Sequence, residues 1–351
     1  MAYCNIRLIA ITQLRDDRKY SMTKAKLDFI QLLRAVAAIA VVLYHAAIVT
    51  PKYSPFPARS LNVLSLGAYG VDLFFVISGF VIFYTTNNIS VSQFVRKRIE
   101  RIVPIYWLYT VFTLLITLEL GGGAEFSWKK FLLSISFISF LLGDAPLMYV
   151  GWTLEYEMFF YACVAASMFI WRRTWPPVCT LISGLIVLGA LTSPVSAWGK
   201  FISASMMLEF LMGILIGQAL IWKRIGKVEA CSVTAAALAV LFADESHRAL
   251  IVGIPAAALL IAAVKASSYR LPKWVVEVGD ASYSIYLIQV FTISACSKGF
   301  QRLLPSLDPD LCIVITTFIT LIAGMASYSF IELRLRNILR IRPPIGQNAA
   351  A

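Results

Sequence analysis

The stretch Ile30-Gln-Leu-Leu-Arg34-Ala-Val-Ala-Ala-Ile-Ala-Val-Val-Leu-Tyr-His45-Ala-Ala-Ile-Val49 decides how the whole chain is read. A helix needs about 20 mainly apolar residues to cross the hydrocarbon core of a bilayer, and this stretch supplies them. It carries two ionisable side chains, Arg34 and His45, separated by the uninterrupted apolar run Ala35 to Tyr44. Eleven helical steps turn the chain by about 1100°, close to three full turns, so both side chains share a face, roughly 16 Å apart along the axis. An ionisable residue inside a span is costly and is a functional hypothesis by default. The bland alternatives are an arginine snorkelling to the inner headgroups and a histidine hydrogen-bonded to a neighbouring helix. The chain has only two histidines, and the other, His247, falls in an outer loop.

Apolar residues dominate the rest of the 351-residue chain as well: 59% are hydrophobic, only 14% are charged, and the mean hydropathy is +0.77. Soluble domains are about 45–50% apolar and about 25% charged, so the chain reads as an all-α polytopic membrane protein. Its net charge of +12 would suit nucleic acid only on a folded basic domain, and no stretch is polar enough to make one. Six cysteines (Cys4, Cys163, Cys179, Cys231, Cys296, Cys312) are scattered without a CxxC pair, which excludes a disulfide framework or a zinc site; no metal is expected. The N-terminus, through Arg15 to Lys19, is too polar for a signal-peptide apolar region. Met22 opens a more typical membrane-protein start, so the first 21 residues read as a dispensable tail or a start placed too far upstream. Asn88-Ile-Ser90 matches a glycosylation sequon but falls on the cytoplasmic side of the topology below. No internal repeat of 20–50 residues is present.

Apolar stretches occur near 30–49, 67–86, 103–120, 131–148, 152–171, 178–193, 199–222, 228–243, 249–265, 280–297 and 311–331. Eleven crossings would put the basic tail Arg334 to Arg342 opposite the basic N-terminus, against the positive-inside bias. Demoting 131–148 to an interfacial or re-entrant segment resolves this. That stretch is rich in Ser and Phe and runs into Gly143-Asp144-Ala-Pro146. The basic groups at Arg96–Arg101, Arg172-Arg173, Lys223–Lys227, Lys265–Lys273 and both tails then become cytoplasmic, 22 basic residues inside against 8 outside. The prediction is about ten transmembrane helices with both termini cytoplasmic.

This parity places further polar residues by depth. Asp72 in Gly70-Val-Asp-Leu-Phe-Phe-Val-Ile-Ser78 and Glu157 in Trp152-Thr-Leu-Glu-Tyr-Glu-Met-Phe-Phe-Tyr161 fall in the same outer layer as His45. A carboxylate can fix an imidazole's tautomer and raise its basicity, giving a general base; the alternative is a polar cluster that holds helices together. On the inner side, Arg98 and Arg101 sit at i, i+3 and can share a helix face. With Arg34 they could form a phosphate-binding cluster, although a cytoplasmic basic run is also an ordinary topology anchor or headgroup contact.

Several segments together resemble the membrane-bound acyltransferase 3 family, in particular its exopolysaccharide O-acetyltransferase type. Leu27-Asp-Phe-Ile-Gln-Leu-Leu-Arg34 with Leu43-Tyr-His45 is similar to the family's basic-x10-His element, and Gly70–Phe80 to its second-span signature. Arg98-x-x-Arg101 before Pro104 and Tyr106 is similar to its cytoplasmic RxxR element. Trp152-Thr-Leu…Glu157…Phe160-Tyr161 resembles its WSLxxExxFY element, while Ala281–Ile288 and Tyr328–Glu332 resemble its last two spans. The ordered match covers roughly 27–335, leaving 1–26 and 336–351 as cytoplasmic tails. The resemblance implies transfer of an acyl group, usually acetyl, from cytoplasmic acyl-CoA to a sugar hydroxyl of a cell-envelope or exported glycan at a bacterial cytoplasmic (inner) membrane. The resemblance implies no cofactor beyond that donor, acyl-CoA and in the first place acetyl-CoA; the partners it implies are the donor, a polysaccharide or lipid-linked glycan, and the bilayer.

By that resemblance His45, with Asp72 and Glu157, forms the catalytic set, as a base or acyl carrier, and Arg34, Arg98 and Arg101 serve acyl-CoA. Ser78, Trp152, Tyr161, Glu209, Tyr286 and Gln289 are expected to line the pore or acceptor site. Two segments depart from the family pattern. Gln289 stands where many members have His, and cannot act as a base. Thr153 and an additional acid, Glu155, leave open which carboxylate faces His45; Glu157 is preferred because Tyr161 lies on its face at i+4. The main rival is a transporter or flippase using His45, Asp72 and Glu157 as a proton relay, but no symmetry between halves is visible. A lipid-linked glycosyltransferase would call for a large acidic outer loop, and the outer loops are short.

Overall fold

The structure is a computed structural model that describes residues 24–86, 89–119, 127–143, 145–171, 174–243, 247–266 and 271–340. Cys4, Arg15–Lys19, Met22, Asn88, Asp144, Arg172-Arg173, Arg270 and Arg342 lie outside them. Among the described residues all regular secondary structure is helical, with no strand. The long helices are α1 (Lys24–Val49), α2 (Gly70–Thr86) and α3 (Val91–Glu119). The short α4 (Trp128–Ile135) precedes α5 (Trp152–Trp171), α6 (Trp175–Thr192) and α7 (Met207–Ile221). Then come α8 (Lys227–Ala243), α9 (Gly253–Lys265), α10 (Ser282–Leu303), α11 (Pro309–Ser327) and α12 (Leu333–Arg340).

Seven of the helical stretches are long and apolar enough to cross a membrane: Leu27–Tyr53, Leu61–Thr86, Val91–Glu119, Trp175–Thr192, Ala197–Ile221, Arg248–Lys265 and Pro309–Ile338. The protein is thus an all-α, multi-pass membrane protein. Among the helices outside these seven, α5 carries Glu155 and Glu157, α10 carries Gln289, Lys298 and Arg302, and α8 has 17 residues.

α2 is central, packed on α1, α7 and α9. Its contact with α7 is set by two glycines: Gly79 lies against the backbone of Phe210, and Gly213 against the backbone of Val76. A Cβ at either position would collide, so the helices approach as closely as small-residue interfaces in membranes allow. Phe210 then stacks on Phe75 (4.7 Å between ring centroids) and on Phe160 (4.4 Å), joining α2, α7 and α5.

The stretch 131–148 is not one helix. α4 stops at Ile135, and the chain turns at Phe137 (φ 59°) and Gly143 (φ 70°) around a 3-10 turn, Ser139–Leu142. Irregular backbone at membrane depth is tolerated where protein satisfies its polar groups. Here Glu155 accepts from the N–H of Ser139 (2.7 Å) and Phe140 (3.3 Å). The Ser134 hydroxyl accepts from Leu147 N (2.8 Å), and Trp107 Nε1 donates to Ile135 O (2.8 Å). A second irregularity, the π-helical turn Tyr328–Glu332, joins α11 to α12 and buries Glu332. Such turns are frequent at functional sites.

Candidate active site

The arginines expected to form an inner cluster line one cavity. α1 supplies Arg34, α3 supplies Arg98 and Arg101, and α5 supplies Glu157 and Tyr161. Each of the first and second arginines is held by a hydroxyl. Arg34 donates through Nε (3.1 Å) and Nη2 (2.9 Å) to Ser282 Oγ at the start of α10. Arg98 donates through Nη2 to Thr85 Oγ1 (2.8 Å), with its guanidinium 5.6 Å from the Phe94 ring and 5.7 Å from the Tyr161 ring. Glu157 accepts from Ser78 Oγ (3.3 Å) and from the Tyr161 hydroxyl, the i+4 neighbour expected on its face. Three guanidiniums against one carboxylate leave the cavity wall with a positive excess.

A second acid, which the sequence reading did not assign to the site, borders the cluster. Glu332 accepts from Ser284 Oγ (2.6 Å) and Arg336 Nη1 (3.3 Å), and its charge is felt by Arg34 and Arg101. The signal that could have found it was an acid inside an apolar run, in a segment quoted only as a motif.

His45 is not part of this cavity wall. Its Nδ1 pairs with the Val41 carbonyl (3.0 Å), and its ring lies 5.4 Å from Tyr149 and 5.1 Å from Tyr44. A thin polar layer separates the two. Tyr286 lines the cavity, and its hydroxyl bonds Thr153 Oγ1 (2.9 Å) and donates to Val150 O (3.0 Å). Behind it, Gln289 donates through Nε2 to Tyr286 O (2.9 Å) and lies beside His45.

The expected single layer of His45, Asp72 and Glu157 does not form. Glu157 joins the arginines because α5 begins already inside the protein: Met148 and Val150, just before it, are at most 1% exposed. Counting depth from the first helical residue assumed that Trp152 sat at the surface. Asp72, 1% exposed, instead accepts from Arg248 through Nη2 (2.9 Å) and Nε (3.2 Å). Glu209, fully buried on α7, lies beside this pair. Arg248 lies just before the apolar stretch 249–265, and its reach to Asp72, 176 residues away in the chain, is not visible in any local spacing.

Of the residues expected to line a pore, Ser78, Tyr161 and Tyr286 face the cavity. Trp152 packs edge-on against Tyr156 (6.0 Å), Glu209 belongs to the Asp72–Arg248 cluster, and Gln289 stands between Tyr286 and His45. Glu155 is occupied by the 139–140 backbone, which separates the two neighbouring acids of α5 by role. Among the described residues there is no group of His, Cys, Asp and Glu able to hold a metal ion.

The helical, multi-pass chain belongs to the acyltransferase 3 family, whose model, an acyltransferase domain, matches residues 27–329, and it is thus a membrane acyltransferase. It is similar to the exopolysaccharide production protein ExoZ of Rhizobium meliloti (strain 1021), 33% identical over 264 residues, covering 67% of this chain and 79% of ExoZ. The acyltransferase MdmB of Streptomyces mycarofaciens is 23% identical over 335 residues, 81% of this chain and 85% of MdmB. A shorter match, 34% identical over 99 residues, links 25% of this chain to 14% of the O-acetyltransferase OatA of Staphylococcus aureus. No solved structure matches.

Proposed function

We propose that this acyltransferase moves an acetyl group from acetyl-CoA, presented at the cytoplasmic face, to a sugar hydroxyl of an exported polysaccharide. The observation that carries the reading is the cavity in which Arg34, Arg98 and Arg101 face a single carboxylate, with Arg34 on the same face of α1 as His45 and about three turns from it. The positive excess suits the phosphates of CoA, since guanidiniums bind phosphate through paired, charge-assisted hydrogen bonds. The glycan acceptor is supported by the similarity to ExoZ and OatA.

In this reading the chain spans the bacterial inner membrane ten times with both termini in the cytoplasm, and 131–148 stays on the outer side. The pantetheine arm extends from the arginines past Tyr286 toward His45. The His45 Nδ1 contact is to a carbonyl, which only accepts, so Nδ1 carries the ring proton and Nε2 keeps its lone pair. Nε2 takes the proton of the sugar hydroxyl as the oxygen attacks the thioester carbonyl. The C–S bond breaks, and the proton passes from Nε2 to the departing thiolate. Glu157, held by Ser78 and Tyr161, orders the inner wall rather than the imidazole.

The test is transfer of radiolabelled acetyl from acetyl-CoA to glycan in membranes containing the protein. Label on the glycan that disappears in His45→Ala supports the reading. Glycan crossing the membrane without acquiring label, or full labelling by His45→Ala, overturns it.

A further inference from the structure

Gln289 is fully buried, and its carbonyl oxygen Oε1 has no hydrogen-bond partner. Buried polar atoms without partners are rare and ask for an explanation. The orientation of this carboxamide is not arbitrary. Its nitrogen lies 2.9 Å from the Tyr286 carbonyl, and only an NH2 group can satisfy a carbonyl, so Oε1 is the end turned elsewhere. The neighbour there is His45.

The same donor–acceptor logic applies to the imidazole. With Nδ1–H committed to the Val41 carbonyl, Nε2 bears a lone pair in the neutral ring. In the neutral ring Nε2 and Oε1 are both acceptors and gain nothing from each other. The pairing becomes favourable only when Nε2 gains a proton. No other acceptor is evident for that proton: the ring's remaining close titratable neighbours are the phenols of Tyr149 and Tyr44. Arg34 stands three turns away on α1, and Asp72 is bonded to Arg248.

We propose that Gln289 is a positioning residue for the histidine base, its Oε1 accepting the hydrogen bond of Nε2–H during the interval in which His45 holds the proton of the acceptor hydroxyl. Gln289 itself takes no proton. The proton goes from hydroxyl to Nε2 and from Nε2 to the CoA thiolate, and Oε1 steadies the imidazolium between the two transfers. An acceptor already aimed at the position where charge develops costs no reorganisation at the moment of reaction. The Tyr286 carbonyl is what aims it, which couples the cavity wall to the base. This proposal rests on the reading of His45 as a general base.

The chain's two histidines make a direct test possible. In full-length protein carrying His247→Gln, 15N-labelled histidine reports His45 alone. NMR titration in nanodiscs then gives the ring's tautomer and its midpoint. Gln289→Leu, similar in size, is expected to lower the midpoint by about one pH unit, and Gln289→Glu to raise it by about one unit or more. Acetyl transfer by Gln289→Leu should fall about tenfold in kcat with the donor KM within twofold, while Gln289→Glu keeps an acceptor and recovers part of the rate. Midpoints that coincide in all three proteins overturn the proposal; if the leucine variant fails to fold, the glutamate variant decides by the same criterion. Full transfer by His45→Ala would remove the base reading even with the midpoints shifted. Coincident midpoints with an inactive His45→Ala would remove only the role of Gln289.

Discussion

Two buried charge clusters in this protein use the same residue types to opposite ends. Around Arg34, Arg98 and Arg101, guanidiniums outnumber carboxylates, and they line open space. Around Asp72, Glu209 and Arg248, two carboxylates surround one guanidinium, and the group is packed between α2, α7 and the segment before α9. An unbalanced cluster facing a cavity can be completed by a ligand. In the second cluster the one guanidinium is already committed, through two hydrogen bonds, to Asp72. Charge inside a membrane protein therefore marks function most strongly where cavity and imbalance coincide.

The sharpest way to break this comparison lies beyond both clusters, at His45. His45→Ala is expected to reduce acetyl transfer at least about 100-fold while donor binding persists; retention of both would leave the cavity without a reaction. Next in size, replacing Arg98 and Arg101 together by Ala should raise the donor KM about tenfold or more, leaving the acceptor KM little changed. Equal losses for donor and acceptor would mean that these arginines are structural, like the other cluster.

Arg248→Ala is expected to show the reverse signature. It strips a buried aspartate of its partner and should cost about 2 kcal/mol, below the 3–5 typical of fully buried pairs because the arginine is partly exposed. The readout is the unfolding midpoint in detergent, with both KM values held. Adding Asp72→Leu should recover part of the loss, since no unpaired charge then remains. The smallest effect belongs to Glu155→Gln, about 1 kcal/mol, seen as faster proteolysis between Ser136 and Gly143 rather than as lost chemistry.

Much of this organisation is legible along the chain. The apolar runs give the helices, the break at 131–148 follows from its Ser, Gly and Pro content, and the i+4 relation of Glu157 and Tyr161 is local geometry. The convergence of Arg34, Arg98, Arg101 and Glu157 on one cavity is only half legible. Spacing put the arginines on shared faces and gave no means of knowing that α5 begins below the surface. Glu332 stands out in the sequence as an acid in an apolar run, but the direction in which it faces is set by the π-helical turn Tyr328–Glu332, which has no sequence signature in a single chain.

What the sequence determines by itself is whatever a single helix expresses: apolar length, the shared face of Arg34 and His45, and the asymmetry of basic residues between loops. These depend on 3.6-residue periodicity and on the cost of charge in lipid, both local to the chain. Tertiary structure alone decides which charges meet. It separates His45 from Asp72 by handing Asp72 to Arg248, and Glu155 from Glu157 by folding the 139–140 backbone onto one of them. It also turns Gln289 between Tyr286 and His45. Those outcomes depend on how far each helix is displaced along its axis against its neighbours, and side-chain packing sets that displacement between elements distant in sequence.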